Sequence, residues 1–387
     1  MPKIIEVMVK NINPFVVSGK IPAAYFCDRI EESAQLEKSL GNQLNVVLTS
    51  PRRMGKTSLI DFTFDKTSIK NEYICISVDI LHTTTFREFI LALGTAVFEN
   101  VATRSERLRK KFVTLLKSLS ASFGYDPVQN TPTFDIRLGD IQQPEYTLRE
   151  IFEYLESVNK RCLVVIDEFQ QISRYPEKNI EALLRTHIQK MSNVNFVFSG
   201  SQRRLMEEMF FSAKRPFYQS AKPLRLDSIP FEIYYDFAVG HFRKAGKDIQ
   251  REAFTFVYET FWGVTFYIQR LMKDAFSETP VGECCDLEAV CQLVGAYIEE
   301  NDSRMREQLS FITEVQKELL YAIHEEKQAR SITSSTFNKK HRLRSPSSTQ
   351  SAALKLLEYD LITQKEKVYS ISDPLLSLWL NRRDVRE

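Results

Sequence analysis

Several features of other protein classes are missing from this sequence. It has no apolar run of about 18 residues or more, so it predicts no membrane-spanning helix and no membrane partner. Its start, Met-Pro-Lys-Ile-Ile-Glu-Val, lacks the basic residues and long apolar run of a secretory signal. None of the six cysteines belongs to a C-x-x-C pair, and Cys75 and Cys162 lie in apolar strand patterns, which indicates packed, reduced thiols. These absences predict a cytoplasmic protein.

A strong charge of one sign is also missing. The chain has 52 Lys and Arg against 50 Asp and Glu, a net charge of +2, so its composition implies no global polyanion partner. Its 387 residues, 43% of them hydrophobic, are enough to bury a large core, and this length predicts two or three domains.

The first motif occupies residues 45–60, which predict an apolar strand, a tight loop and the start of a helix. The loop follows the phosphate-binding pattern, with Ser50 in place of the first glycine. Gly55 allows close backbone approach at the positive end of the helix, Lys56 can reach the β and γ phosphates, and Thr57 can bind Mg²⁺. An ordinary strand–helix turn is the alternative. The residues predicted to bind nucleotide here are Ser50, Pro51, Arg52, Arg53, Met54, Gly55, Lys56, Thr57 and Ser58.

The second motif is an apolar run that begins at Cys162 and ends in Asp167 and Glu168. It predicts a buried parallel strand with two carboxylates at its carboxyl end, where ligands bind in open α/β sheets. We expect Asp167 to hold Mg²⁺ and Glu168 to orient or deprotonate an attacking water. Such runs occur by chance, but this one follows the loop and an intervening strand at residues 72–79, the order that a phosphate-loop ATPase requires.

A further strand at residues 194–198 is followed by Ser-Gly-Ser-Gln. A polar side chain here, such as Ser201, could sense the γ-phosphate, and a plain turn is the alternative. The alternation of strands and helices predicts a three-layer α/β core with a mainly parallel sheet.

A series of short motifs along the chain matches one known family. They are Phe26-x-Asp28-Arg29-x-Glu31, Pro51-Arg52-Arg53-x-Gly55-Lys56-Thr57-Ser58, Ile166-Asp167-Glu168-Phe169-Gln170, Ser199-Gly200-Ser201, Pro216-Phe217-Tyr218 and Asp373-Pro374-Leu375 with Trp379. In these motifs the chain resembles the archaeal-type ATPase family, which lies in the STAND branch of the AAA+ P-loop ATPases and is related to replication initiators.

The resemblance covers nearly the whole chain and implies ATP and Mg²⁺ as ligands, an adenine site near Phe26 and Arg29, a helical lid and a C-terminal winged helix. Two positions depart from the family pattern: Ser220 stands where an arginine is common, and Thr265 where the lid has proline. Arg215 is a candidate replacement for that arginine.

The predicted domains are a P-loop NTPase (AAA+-like) core over residues 1–230, a helical lid over 231–310 and a winged helix over 311–387. Three helices and a strand pair predict the winged helix, and the third helix is expected to start at a cap on Ser347.

Residues 327–357 contain no acid and seven basic residues, which suits contact with the phosphates of duplex DNA. A protein partner, self-association or a merely solvated surface are the alternatives. The seven are Lys327, Arg330, Lys339, Lys340, Arg342, Arg344 and Lys355.

Two functions stay open from the sequence. The first is a switch ATPase that converts ATP and water slowly into ADP and phosphate and couples its nucleotide state to the winged helix. The second is a regulator that binds DNA or a partner and has a mainly structural nucleotide site. The pair Asp167 and Glu168 favours the first, and Ser220 and Thr265 keep the second open.

Overall fold

The computed structural model describes residues 13–118, 122–126, 131–135 and 138–383; the remaining parts of the predicted domains lie outside these ranges. The chain divides into two compact units. One is Ser18–Ser228, and the other runs from Ile229 onward and includes residues 13–17. The sequence had assigned those five residues to the core. The further division of the second unit at residue 310 stays a prediction.

The strands of the described residues form one large sheet and three small ones. Their bounds are β1 Val46–Thr49, β2 Tyr73–Asp79, β3 Ser122–Asp126, β4 Thr131–Asp135, β5 Arg161–Asp167, β6 Val194–Gly200, β7 Lys222–Arg225, β8 Asp248–Ile249, β9 Cys284–Cys285, β10 Ala329–Arg330, β11 Ile362–Lys365 and β12 Val368–Ile371.

The α-helices of the described residues surround the large sheet or build the second unit. Their bounds are α1 Ile30–Gly41, α2 Lys56–Asp65, α3 Thr67–Glu72, α4 Phe86–Asn100, α5 Glu106–Leu115, α6 Pro144–Glu156, α7 Ile180–Ile188, α8 Arg203–Phe211, α9 Phe231–Lys244, α10 Arg251–Thr260, α11 Thr265–Glu278, α12 Leu287–Glu300, α13 Asp302–Ser310, α14 Glu314–Glu326, α15 Ser335–Lys340, α16 Pro346–Glu358 and α17 Pro374–Arg383.

Alternating side chains of the central strands serve two separate cores. On β5, Val164 and Ile166 join one apolar cluster, whereas Leu163 and Val165 join the other. Because side chains of a strand alternate between faces, each face of the sheet is covered by its own layer of helices. This arrangement confirms the predicted three-layer α/β fold.

The strand order in the large sheet is β2-β5-β6-β1-β7, and every pairing is parallel. β6 therefore lies between β1, which leads into the loop at residues 50–57, and β5, which ends at Asp167. Thr49 pairs with Gly200, and Ile166 pairs with Phe198. The carboxyl ends of all three strands meet at one edge, which places both sequence motifs and the end of β6 side by side.

The second unit is built on aromatic packing. Phe15 is fully buried and contacts the rings of Phe237, Phe242 and Phe276, each with a centroid separation of about 6 Å. The Asn13 amide donates a hydrogen bond to the Lys273 carbonyl at 2.8 Å. These contacts account for the placement of residues 13–17 with this unit.

The C-terminal part contains the three predicted helices, α14 to α16, and a sheet of order β10-β12-β11. Helix α16 begins at a cap on Ser345, whose hydroxyl accepts from the Ser348 N–H at 3.2 Å, so the predicted cap at Ser347 is wrong by two residues. Pro346 at the first helical position explains the shift, because its fixed φ suits a helix start. Helix α17 and strand β10 were not predicted.

Candidate functional site

The loop at residues 50–57, called the phosphate loop below, contains a left-handed residue where helix α2 begins. Gly55 has φ of +87° and is the N-cap of α2. An added Cβ at Gly55 would meet nothing within 4 Å, so the backbone conformation, not space, calls for glycine. Ser50, Met54 and Lys56 are buried, whereas Pro51, Arg52 and Arg53 are exposed.

The start of α2 suits an anion. No side chain caps it, and its first turn, which contains Lys56, Thr57 and Ser58, holds no acidic residue. The first N–H groups of a helix have no partner within the helix and form the positive end of its dipole. By contrast, Glu31 and Glu32 occupy the first turn of α1.

Thr57 and Asp167 face each other although 110 positions separate them in the chain. The Thr57 hydroxyl lies 3.4 Å from Oδ2 of Asp167. A hydroxyl and a carboxylate are hard oxygen donors of the kind Mg²⁺ prefers, so this donor set fits the expected ion. The two motifs of the sequence therefore converge at one place.

Glu168 is held by two neighbours at the same edge. Its Oε2 accepts a hydrogen bond from the Ser201 hydroxyl at 2.7 Å and another from the Gln170 side-chain amide. Glu168 itself has φ of +55°, a left-handed conformation that is uncommon for this residue type. The sequence predicts separate roles for Glu168 and Ser201 and none for Gln170, although Gln170 belongs to the Asp-Glu-Phe-Gln motif.

The end of β6 is tightly packed around Gly200. A Cβ there would lie 2.4 Å from Oε1 of Gln170 and 2.7 Å from the Met206 side chain. Within the described ranges, Oε1 of Gln170 and the Ser199 hydroxyl are buried and have no hydrogen-bond partner. A side chain at residue 200 would therefore force Gln170 and Met206 to shift, a constraint that the local sequence does not reveal.

Arg29 joins the segment before α1 to the phosphate loop. It is 4% exposed, and its guanidinium contacts Glu32 at 2.8 Å and the Met54 carbonyl at 3.4 Å. Phe26 stacks on Phe62 with centroids 4.1 Å apart and planes within 7°. Both residues predicted to lie near adenine thus pack beside the loop or its helix.

Arg215, the candidate replacement for the missing family arginine, is engaged elsewhere in the first unit. Its guanidinium lies 2.5 Å from Glu181 and 3.7 Å from Glu208. Burial raises the pKa of Glu181 despite the opposing charge of Arg215. Ser220 donates its hydroxyl to the Phe217 carbonyl at 2.7 Å.

The basic residues of the C-terminal part differ in their partners. Lys340 pairs with Glu326 at 2.5 Å, and Lys355 with Glu358 at 2.8 Å. Hydrogen bonds from Lys340 and His341 hold the pKa of Glu326 below its usual range. Five others are exposed and form no ion pair within the part of the chain that the structure describes: Lys327, Arg330, Lys339, Arg342 and Arg344.

The sheet order, the loop before α2 and the C-terminal three-helix module together define the fold of an AAA+-type P-loop ATPase with a winged helix. Residues 304–382 match a family model described as a probable winged helix domain. The sequence matches no curated protein. Of the helices within the described ranges, none is long and apolar enough to cross a membrane.

Solved structures support the same fold over nearly the whole chain. A Walker-type ATPase of Pyrococcus abyssi is 18% identical with a TM-score of 0.66, covering 95% of this chain and 99% of that one. The ORC2 protein of Aeropyrum pernix, solved in ADPNP–ADP complexes, is 13% identical with a TM-score of 0.57 and coverage of 96% and 98%. The ORC1 protein of the same organism, solved in complex with DNA, is 12% identical with a TM-score of 0.50 and coverage of 97% and 96%. The resemblance to archaeal-type ATPases with a winged helix is thus confirmed at the level of the fold.

Proposed function

We propose that this protein is a Mg²⁺-dependent ATPase with slow turnover that couples its nucleotide state to the winged helix. The observation that carries the proposal is the approach of Thr57 to Asp167 beside the uncapped start of α2. The start of α2 supplies N–H groups for phosphate, and the side chains of Thr57 and Asp167 supply oxygen ligands for the ion.

The phosphate loop, together with Ser58 directly after it, binds the phosphate groups through its backbone and through the charge of Lys56. Burial of Lys56 strengthens that charge's attraction to phosphate, because few waters screen it. Thr57 and Asp167 would hold Mg²⁺, and the bound ion would supply positive charge beside the phosphate oxygens. Phe26 and Arg29 contribute to the adenine side, as the resemblance to archaeal-type ATPases implies.

Glu168 orients or deprotonates the attacking water. Ser201 and Gln170 both donate to its Oε2, so Oε1 remains to accept from that water, because an ionised carboxylate has two acceptor oxygens. Slow turnover is supported by Ser220, which stands where the family commonly has an arginine. In this proposal Ser201 senses the γ-phosphate and holds Glu168 when that phosphate is absent, and its hydrogen bond to Glu168 supports the second role.

Duplex DNA is the second ligand that we propose, bound by the winged helix. The five exposed basic residues without an ion pair support it, since phosphate contacts come mainly from such side chains. On α16, Ser347, Gln350 and Ser351 are exposed and could contact base edges. Binding to a protein partner or self-association through the same surface is the alternative, and a cytoplasmic location is part of the proposal.

Thermal unfolding with Mg-ATP tests the nucleotide site. Ligand at about 100 times its dissociation constant should stabilise the native state by about 2.7 kcal/mol, which raises the melting temperature. Lys56→Ala should lose this shift, whereas Lys190→Ala, an exposed lysine on the same unit, should keep it. An equal shift in Lys56→Ala and the parent would refute binding at the phosphate loop.

A further inference from the structure

Helix α17 buries one broad apolar face. Leu375, Leu376, Trp379 and Leu380 are all buried, and at 3.6 residues per turn they span about 140° of the helix surface. A face this broad can contact more than one neighbour, and the polar contacts of α17 identify these neighbours within the second unit. They belong to two groups of helices that the sequence assigned to different domains.

The first group is the predicted lid. The hydroxyl of Tyr267, on α11, donates to Oδ1 of Asp373 at 2.6 Å, directly before α17. The indole N–H of Trp379 donates to Oδ1 of Asp302, the first residue of α13, at 2.8 Å. Both donors are almost fully buried, and both acceptors are carboxylates, so these are hydrogen bonds of the stronger kind.

The second group is the winged helix itself. His324, on α14, lies with Nε2 3.0 Å from Oδ1 of Asn381 and Nδ1 3.4 Å from the Ser377 hydroxyl. Asn381 and Ser377 are both on α17. One helix therefore has buried or half-buried polar contacts to α11 and α13 and to α14.

We propose that α17 fastens the winged helix to the lid so that α11 and α14 open and move as one cooperative body, with Tyr267 and Asp373 as the positioning pair. This deepens the proposed function and rests on it for one consequence: a change that nucleotide causes in the lid reaches the winged helix without a hinge between them. Tyr267 and Asp373 contact no nucleotide in this account and act only by positioning.

Hydrogen exchange of the full-length chain in increasing urea, read by mass spectrometry, tests the fastening. In the parent, amides of α11 and α14 should exchange through one opening with the same urea dependence. In Tyr267→Phe, which removes one hydroxyl, amides of α14 should exchange roughly ten- to a hundredfold faster than those of α11, because a buried hydrogen bond to a carboxylate is lost. Tyr258→Phe is the matched control, since that hydroxyl donates to the Ile229 carbonyl at 2.8 Å and does not touch α17.

Three results would overturn the proposal. The first is that α11 and α14 open separately in the parent, and the second is that they still open together in Tyr267→Phe. The third is that the exchange rates of α11 and α14 differ in Tyr258→Phe as much as in Tyr267→Phe. A second arm adds Mg-ATP. It should slow exchange of both helices in the parent and of α11 alone in Tyr267→Phe. No change in the parent would count against the proposed nucleotide function, and the urea arm would still decide whether α17 is a fastening.

Discussion

The edge of the central sheet and the basic surface of the winged helix use charge in opposite ways. At the sheet edge, Lys56 is buried and Glu168 accepts hydrogen bonds from Ser201 and Gln170, so these charged groups are enclosed or held by neighbouring side chains. On the winged helix, Lys339, Arg342 and Arg344 are exposed and close in sequence. Charge in the first region should act through geometry and resist salt, whereas charge in the second should act additively and be screened by salt.

The largest effect is expected at the metal ligands. Asp167→Asn, or removal of Mg²⁺ with a chelator, should reduce ATP turnover by roughly a hundredfold or more, because the ion stabilises charge in the transition state by several kcal/mol. Phosphate release with and without chelator measures this. Asp236→Asn, on an exposed position of α9, should leave turnover unchanged. Turnover by Asp167→Asn at the parent rate would remove Asp167 from the site.

The close packing around Gly200 at the sheet edge should also affect the free energy of unfolding. Gly200→Ala forces a Cβ against Gln170 and Met206 and should destabilise the first unit by about 1–3 kcal/mol. Gly240→Ala is the matched control, because a Cβ there meets nothing within 4 Å and helix α9 should gain about 0.5–1 kcal/mol. Urea unfolding of the parent and both variants measures these free energies. If Gly200→Ala is as stable as the parent, the sheet edge can relax around the added Cβ.

The basic surface of the winged helix should determine how strongly DNA binding depends on salt concentration. If Lys339, Arg342 and Arg344 each neutralise one phosphate, changing all three to Ala should reduce the slope of log K against log salt by about 2.7 on duplex DNA. Fluorescence anisotropy at several salt concentrations gives the slope. A parent that shows no DNA retention at about 50 mM salt would favour a protein partner.

A smaller effect is expected from the ion pair between Lys340 and Glu326, which should reduce the contribution of Lys340 to DNA binding. Lys340 is paired with Glu326, so Lys340→Ala alone should alter the slope less than the change of an unpaired neighbour. Glu326→Gln should free Lys340 and steepen the slope by up to about 0.9. If Glu326→Gln leaves the slope unchanged, Lys340 does not face the DNA.

Much of the fold could be predicted because its signals are local. The apolar runs that became β1 and β5 and the loop pattern before α2 are each contained in about ten residues. The order of strands is not local, and it places β6 between β1 and β5. The contact of Ser201 with Glu168 depends on that order, so the sequence could name the two residues but not their association.

Two features of the C-terminal part were missed by the sequence predictions for a similar reason. Helix α17 carries the half-buried Leu378 away from the face that holds its four buried apolar residues, which blurs the one-sided periodicity by which helices are predicted. The basic count over residues 327–357 omitted Glu326, one position before the span, which folds back onto Lys340. Neither feature could be predicted without knowing which elements pack together.

The most direct test of the account is ATP turnover by the full-length chain beside Glu168→Gln. The account predicts measurable Mg²⁺-dependent release of phosphate by the parent, a loss of roughly a hundredfold or more in Glu168→Gln, and an ATP affinity that stays nearly the same. The exchange of a carboxylate for an amide keeps the shape of the side chain, so binding should survive while water activation is lost. Phosphate release by Glu168→Gln at the parent rate, or none by the parent with ATP bound, would contradict the proposed ATPase.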